Sequence, residues 1–377
     1  MSNIDFSVTS DLENLISQTK FERIFFLCGK KKKSYYSSNG YRNIKKILKK
    51  KTTKFYFKSS LFPEIVELKK IIVSLKQFSP DLIIAIGGGT VIDYAKIANC
   101  VGVEKNLEKK IINNSYILKH KLAKLIAIPT TAGSGAEVTA NAVIYINKIK
   151  YSVESELVKP DYFFLIPEFV MGAPKKIISS AGFDAIAQAT ESLISKKSNL
   201  ASVRFAKKSL KISLKYYLNF LSNPTKENSS AMCLAANLSG KAISISKTTA
   251  PHALSYRLTS AHGISHGHAA AMTLGAFFVF HESAIKGGEF DVASLRELEE
   301  ISCRLYSILG VGSAGAAYTK WYQLMIDCGL DTKLSGVPFS ESDDLLDIAS
   351  SVNTERLGNH PLRLSTENLL EVMRRVP

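Results

Sequence analysis

The stretch Asp81–Cys100, DLIIAIGGGTVIDYAKIANC, decides how the first half of this chain folds. Leu82–Ile86 is a continuous apolar run of strand length, and it stops on Gly87, Gly88 and Gly89. Thr90 then opens a helical pattern with Asp93 three positions on, an arrangement in which Thr90 can cap the helix. The reading is a buried strand, a glycine turn and a helix. Glycines there let the backbone approach a ligand, and the N–H groups of a helix start favour an anion such as a pyrophosphate. A tight turn that binds nothing explains the three glycines equally well, because their spacing is not GxGxxG.

The neighbouring segments repeat the strand-helix alternation. Upstream, Arg23–Cys28 and Lys54–Phe57 are β-rich runs, each followed by an amphipathic helical run. Downstream, the apolar run from Leu125 to Ile128 ends at Pro129. Such alternation implies a parallel sheet flanked by helices. Beyond Pro167 the strand signal fades, and Ala201–Leu221 and Leu295–Ile308 read as helices. A chain of 377 residues is too long for one typical core, so two domains are expected. These are an α/β domain over 1–166 and an all-helical domain over 167–377.

The strand ending at Pro129 leads into a second loop of small and hydroxyl residues, Thr130, Thr131, Gly133, Ser134 and Gly135. Two such loops are hard to explain as packing alone. Their hydroxyls and amides suit the phosphates and ribose of a dinucleotide.

Composition excludes several other classes. With 46% hydrophobic and 22% charged residues the chain is globular rather than extensively disordered. Met272–Phe280, among its longest apolar runs, falls short of the roughly 20 residues a bilayer requires. The N-terminus MSNIDFSVTSDLENL has no basic segment followed by an apolar one, so a cytoplasmic location is expected. Five cysteines without a CxxC pair read as packed, reduced thiols. The net charge of +16 raises the question of nucleic acid. Its lysines cluster at Lys30–Lys33 and at Lys45, Lys46, Lys49, Lys50 and Lys51, without interleaved aromatics or a DNA-reading pattern. A solvated basic face is the better reading, and attraction of an anionic substrate or cofactor survives beside it.

The second half carries the candidate chemistry. In GFDAIAQATESLIS, Asp184 and Gln188 lie four apart on one helix face. In APHALSYRLTSAHGISHGHAAAMTL, four of the seven histidines, His252, His262, His266 and His268, fall within 17 positions. One histidine alone is more often a packed residue than a ligand. A carboxylate with two imidazoles suits Fe(II) or Zn(II) in a Lewis-acid role.

GGGTVID, PTTAGSGAEVTANAVI, FDAIAQATES and HGISHGHA together resemble the signature blocks of the iron-containing, or group III, alcohol dehydrogenase family. Gln188, Tyr256 and the GHA after His266 are similar to its phosphonoacetaldehyde reductase branch. The resemblance implies an N-terminal dinucleotide-binding α/β domain, a C-terminal helical domain and a divalent metal. It assigns the metal to Asp184, His252 and His266, with Gln188 standing where the family has histidine. It assigns pyrophosphate contacts to Gly87, Gly88, Gly89 and Thr90, with Asp93 supporting that turn. Thr130, Thr131 and Ser134 match the second cofactor loop, and Asn141 and Lys150 match positions facing the nicotinamide ribose or the substrate.

The implied reaction is hydride transfer between NADP or NAD and a small aldehyde or alcohol. The resemblance extends to an anionic aldehyde such as phosphonoacetaldehyde as the substrate, with Arg257 and Lys150 as candidate cations for the anionic group. His268, then His262 or Tyr256, would relay the proton. The lysines after Arg23–Cys28 favour the 2′-phosphate of NADPH. A dehydroquinate synthase-like cyclase acting on a sugar phosphate is the competing reading of the same architecture, and it expects a different ligand pattern. The expected partners are the small substrate and at most a second copy of the chain in a homodimer, with no nucleic acid or membrane.

Overall fold

The computed structural model describes residues 5–6, 9–29, 34–102, 104–118, 120–288, 290–334, 341–352 and 357–377. Lys30–Lys33, on which the NADPH expectation rests, lie outside these residues. The chain divides into two compact units, Met1–Pro174 with Pro224–Gly240, and Lys175–Asn223 with Lys241–Pro377.

The first unit holds β1 (Asp5–Phe6), β2 (Arg23–Cys28), β3 (Thr52–Phe57), β4 (Leu82–Gly87), β5 (Lys124–Pro129), β6 (Asn141–Ile146), β7 (Ile149–Glu154) and β8 (Tyr162–Phe164). Six strands form a parallel sheet in the order β1-β8-β5-β4-β2-β3. Helices α1 (Thr9–Gln18), α2 (Asn39–Ile47), α3 (Ile65–Phe78), α4 (Gly89–Cys100), α5 (Leu107–Ile112) and α6 (Pro167–Met171) accompany it. Successive residues of one strand feed opposite cores. Ile83, Ala85, Leu125 and Ala127 pack with Leu68 and Ile71 of α3 and Ile92 and Ala95 of α4. Leu82, Ile84, Ile86, Ile126 and Ile128 pack with Leu12 and Ile16 of α1 and Ile44 of α2. The strand sequences are continuous in apolar character because both faces are buried.

Strand order reverses between β2 and β4: the chain runs from β2 to β3 on one side, then crosses to β4 on the other. In an open parallel sheet that switch point is where a ligand finds a crevice beyond the carboxyl ends of the strands. Here Gly29 N–H bonds the Ile86 carbonyl at 3.2 Å, so the ends of β2 and β4 meet where the glycine turn begins. The antiparallel hairpin β6–β7 was not foreseen from sequence. Its turn is Asn147-Lys148, both at positive φ (50° and 64°), and it lacks the Asn-Gly pair that usually announces such a turn.

The second unit is helical throughout its described regular structure, as expected. It contains α7 (Lys175–Ile194), α8 (Leu200–Ser222), α10 (Ala250–His262), α11 (His266–Gly287), α12 (Val292–Leu309), α13 (Ala314–Asp327), α14 (Glu341–Ser350) and α15 (Thr366–Arg374). Helix α9 (Lys226–Ser246) contributes residues up to Gly240 to the first unit and the remainder to the second. Helices α7 and α11 are buried on nearly every side, which explains their weak amphipathic pattern. Among the described residues no helix is long and apolar enough to cross a membrane. Four cysteines are buried as expected, but Cys303 is exposed, on the solvent side of amphipathic α12.

A buried histidine pair lies within this helical unit. His281 of α11 and His360 face each other with Nε2 atoms 3.1 Å apart, and one of the two must carry the shared proton. Burial pushes His281 down to about 3 and His360 also well below its usual range. Both remain neutral in the folded chain at pH values where the unfolded chain, near 6.5, takes up protons. The pair's contribution to stability is therefore fully present above about pH 6.5 and falls as the pH drops toward 3, by roughly 1.4 kcal/mol per pH unit per histidine. Urea midpoints measured at pH 7 and pH 5 should show this loss, and His281→Phe should reduce it. An equal loss in both proteins would remove the pair from the explanation.

Candidate dinucleotide cradle and candidate metal centre

Within the first unit the two ligand-binding loops proposed from sequence lie against each other. A Cβ built on Gly88 would sit 3.3 Å from Thr131 Oγ1, and one on Gly89 2.9 Å from Ser134 Oγ. Thr130 N–H bonds the Gly87 carbonyl at 3.0 Å. Side chains on the glycines would fill the space before these hydroxyls, which is the geometry a cradle for a pyrophosphate requires. Thr90 does not cap α4. The helix begins one residue earlier, at Gly89, and its extended N-cap residue is Gly88, with no side-chain hydrogen bond. The turn is tighter than a threonine cap permits, and Thr90 is already helical.

Asp93 reaches away from the turn. Its Oδ2 accepts from Val143 N–H at 3.2 Å, tying α4 to β6. Burial raises its carboxyl to about 6, against the pull of Lys96, the Val143 N–H and Lys150. Asn141 opens β6, with its carbonyl on Lys96 Nζ at 2.7 Å, and Lys150 lies opposite Tyr145 on β7.

In the second unit the fold gathers Asp184, His252 and His266, each offering one ligand atom within 4.8 Å of the others. Asp184, Gln188 and Glu191 form an i, i+4, i+7 stripe on α7, and all three are buried. Gly267 sets the approach of α11 to this stripe. A Cβ on it would lie 2.1 Å from the Ser180 carbonyl oxygen and 2.6 Å from Asp184 Cβ. Any larger residue would push His266 off Asp184.

Hydrogen bonds fix the histidine tautomers. His252 Nδ1 pairs with Glu191 Oε1, whose partner oxygen accepts from Thr249 N–H at 2.7 Å and from its hydroxyl at 3.0 Å. His252 Nε2 faces Asp184 Oδ1 at 3.3 Å, the position in which a metal would take the place of the proton on that nitrogen. The Ser255 hydroxyl donates to the His252 carbonyl at 2.7 Å, so its oxygen accepts from His266 Nδ1 at 3.2 Å and leaves Nε2 of His266 bare. Burial disfavours the charged form of His252, but the Glu191 and Asp184 carboxylates outweigh it and push the imidazole up to about 10. The two carboxylates thus favour a cation at Nε2 of His252, and a buried carboxylate with two oriented imidazoles fits a divalent metal in that place.

The three proton-relay candidates separate. Tyr256 stacks on the His266 ring, with centroids 5.8 Å apart and planes at 15°. His268 follows His266 by two residues, roughly 200° around the helix, and turns away. Its Nε2 bonds the Asp331 carbonyl at 2.6 Å. With His262 it lines a cavity of about 910 Å³ that none of Asp184, His252, His266 or Tyr256 lines. The fold thus brings Tyr256 to the ligand group and does not bring His268 or His262. Arg257 is also placed elsewhere than expected, since its Nε and Nη2 grip Asp347 Oδ2 at 2.8 and 2.6 Å.

Four residues that the sequence reading passed over support these sites: Lys96, Glu191, Ser255 and Gly267. Two had a visible signal. Glu191 lies two helical turns from Asp184, and Lys96 is the lone cation in a segment, Val91–Cys100, that is buried at every position.

Comparison with known proteins agrees with this geometry along both halves. Residues 6–167 match the family model described as iron-containing alcohol dehydrogenase, and residues 178–376 match that of the C-terminal part of the Fe-containing alcohol dehydrogenase family. The chain is 27% identical over 311 residues to phosphonoacetaldehyde reductase of Streptomyces viridochromogenes, covering 78% of this chain and 76% of that one. It is 30% identical to 4-hydroxybutyrate dehydrogenase of Clostridium kluyveri over 207 residues, 54% of this chain and 55% of the other. Among solved structures it is similar to sulfoacetaldehyde reductase from Bifidobacterium kashiwanohense in complex with NAD+, with a TM-score of 0.85, 23% identity and 99% and 96% of the two chains covered. It is also similar to an iron-containing alcohol dehydrogenase from Thermotoga maritima, with a TM-score of 0.81, 25% identity and 99% and 97% covered. On the strength of two models that together span nearly the whole chain, this protein belongs to the iron-containing alcohol dehydrogenase family and is an oxidoreductase.

Proposed function

We propose that this oxidoreductase uses NAD(P)H to reduce a short aldehyde bearing an anionic group, of which phosphonoacetaldehyde is the model. The observation that carries the substrate class is the similarity to phosphonoacetaldehyde reductase, which runs through 78% of the chain. In this reading Asp184, His252 and His266 hold a divalent metal, Fe(II) by the donor set, with the Gln188 amide beside them on α7. The turn Gly87–Thr90 and the hydroxyls of Thr130, Thr131 and Ser134 hold the dinucleotide. When bound, the metal polarises the carbonyl as a Lewis acid and the nicotinamide supplies the hydride.

The remaining tasks fall to this chain's side chains. Glu191 and Ser255 hold the Nδ1 side of each imidazole, so that Nε2 is the nitrogen turned to the metal. Tyr256, on His266, is assigned delivery of the proton to the nascent alcohol oxygen. Asn141 and Lys150 are assigned to the nicotinamide ribose or the substrate, and with Arg257 held by Asp347, Lys150 becomes the cation for the anionic group. The Lys30–Lys33 run supports a preference for NADPH.

The test is kcat/KM for phosphonoacetaldehyde against propanal, each with NADPH and NADH, on the Fe(II)-loaded enzyme. The anionic aldehyde should be favoured at least tenfold, and Lys150→Met should erase that preference while sparing propanal. Equal efficiency toward both aldehydes would overturn the substrate class and leave the family assignment standing. Equal efficiency with both cofactors would overturn the NADPH preference.

A further inference from the structure

Helix α4 is buried on all sides from Val91 to Cys100, yet Lys96 lies in its middle with no exposure. An ammonium that far from water is tolerated only with its donors filled. Here all three are. Lys96 Nζ donates to the Ala136 carbonyl at 2.8 Å, to Thr139 Oγ1 at 2.7 Å and to the Asn141 carbonyl at 2.7 Å. Two of the acceptors, Ala136 and Thr139, lie in the irregular stretch between Pro129 and β6 that carries Thr130, Thr131 and Ser134, and the third, Asn141, opens β6 at its end.

The same stretch is gripped from its other side by α9, within the same unit. Gly135, at φ +60°, lies against Gly240 so closely that a Cβ on it would come within 2.5 Å of Gly240 Cα. The buried Glu137 accepts from Asn237 Nδ2 at 3.0 Å. Lys96 therefore fastens this stretch to α4, the helix whose first residues are the glycine turn, beside the Asp93–Val143 bond that ties α4 to β6.

We infer that Lys96 is a positioning residue for the dinucleotide: by holding the Ala136–Asn141 segment to α4, it sets the gap between the glycine turn and the hydroxyls of Thr131 and Ser134. The inference rests on the reading of these loops as the dinucleotide cradle. Burial lowers the ammonium to about 8, while the Asp93 and Glu137 carboxylates raise it, so it stays largely charged at neutral pH. Without that charge the segment keeps its anchor on α9 and loses the three bonds that fasten it directly to the middle of α4, while the Asp93–Val143 bond holds α4 farther along β6. The cradle then widens, while the ligand group Asp184, His252 and His266 has no bond to Lys96 to lose.

Fluorescence titration of the full chain with NADPH and NADH tests this, alongside metal content and thermal melting. Wild type should bind dinucleotide. Lys96→Met should raise the dissociation constant at least tenfold with metal content unchanged, and the KM for cofactor should rise while that for aldehyde does not. Thr139→Val removes one acceptor with little change of shape and should weaken binding three- to fivefold, with Thr139→Ser restoring it. Where Lys96→Met does not fold, the Thr139 pair decides. Failure of the wild type to bind either dinucleotide would sink the cradle reading and this inference with it. Wild-type binding with unchanged affinity in Lys96→Met, or in Thr139→Val if Lys96→Met does not fold, would sink the inference alone.

Discussion

His266→Ala is expected to leave a folded chain with no bound metal and no measurable aldehyde reduction. The ligand group offers three atoms within 4.8 Å, and this substitution leaves one imidazole and one carboxylate. Two strong donors with a neutral amide nearby do not retain a divalent ion against buffer and water. His266 is half-buried at the first turn of α11, so truncating it should lower the melting temperature only modestly. Tyr256→Phe separates binding from chemistry. It keeps the ring that stacks on His266 and removes only the hydroxyl, so metal content should match wild type while kcat falls about 10²-fold. Gln188→His should move metal affinity upward, because an imidazole replaces a weak amide donor on the same helix face. Elemental analysis and turnover on the same preparations decide these outcomes. A metal-free His266→Ala enzyme with wild-type turnover would end the assignment of these ligands.

What the sequence allowed to be read, and what it hid, follows from the range over which each signal acts. The strand β2 and the glycine turn after β4 were legible because each is written in consecutive residues: an apolar run, then a breaker. The pairing of Asp184 with Gln188 was legible because four positions return a helix to the same face. The unexpected placement of His268 has the same root. Density of histidines was taken as proximity, but two positions along a helix separate side chains more than four do, and α11 turns His268 toward Asp331. The pairing of Arg257 with Asp347 was hidden because the two are 90 residues apart, and no local pattern announces it. Gly267 and Ser255 matter through close approaches of helices that only the packed structure contains.

Glu191→Gln is expected to weaken metal binding 10- to 100-fold in a chain that otherwise folds normally. The substitution preserves shape and removes a fully buried charge, so it should not destabilise through packing. Its effect comes from the direction of hydrogen bonds. Glu191 is an acceptor at both oxygens, toward His252 Nδ1 on one and toward Thr249 N–H and its hydroxyl on the other. A glutamine has one acceptor end and one donor end. With its NH2 toward His252, Nδ1 must accept, and the ring proton moves to Nε2, where it blocks the lone pair that faces Asp184. With its NH2 toward Thr249, two donors meet at a buried backbone N–H, and the loop entering α10 must shift, carrying His252 with it. Either orientation harms the ligand, which a carboxylate alone avoids. Chelator titration of the metal-loaded protein gives the affinity, and long-range nitrogen spectra of the imidazoles give the tautomer. If Glu191→Gln holds metal within twofold of wild type and His252 keeps its proton on Nδ1, the carboxylate is packing rather than orientation, and the donor geometry argued from it fails.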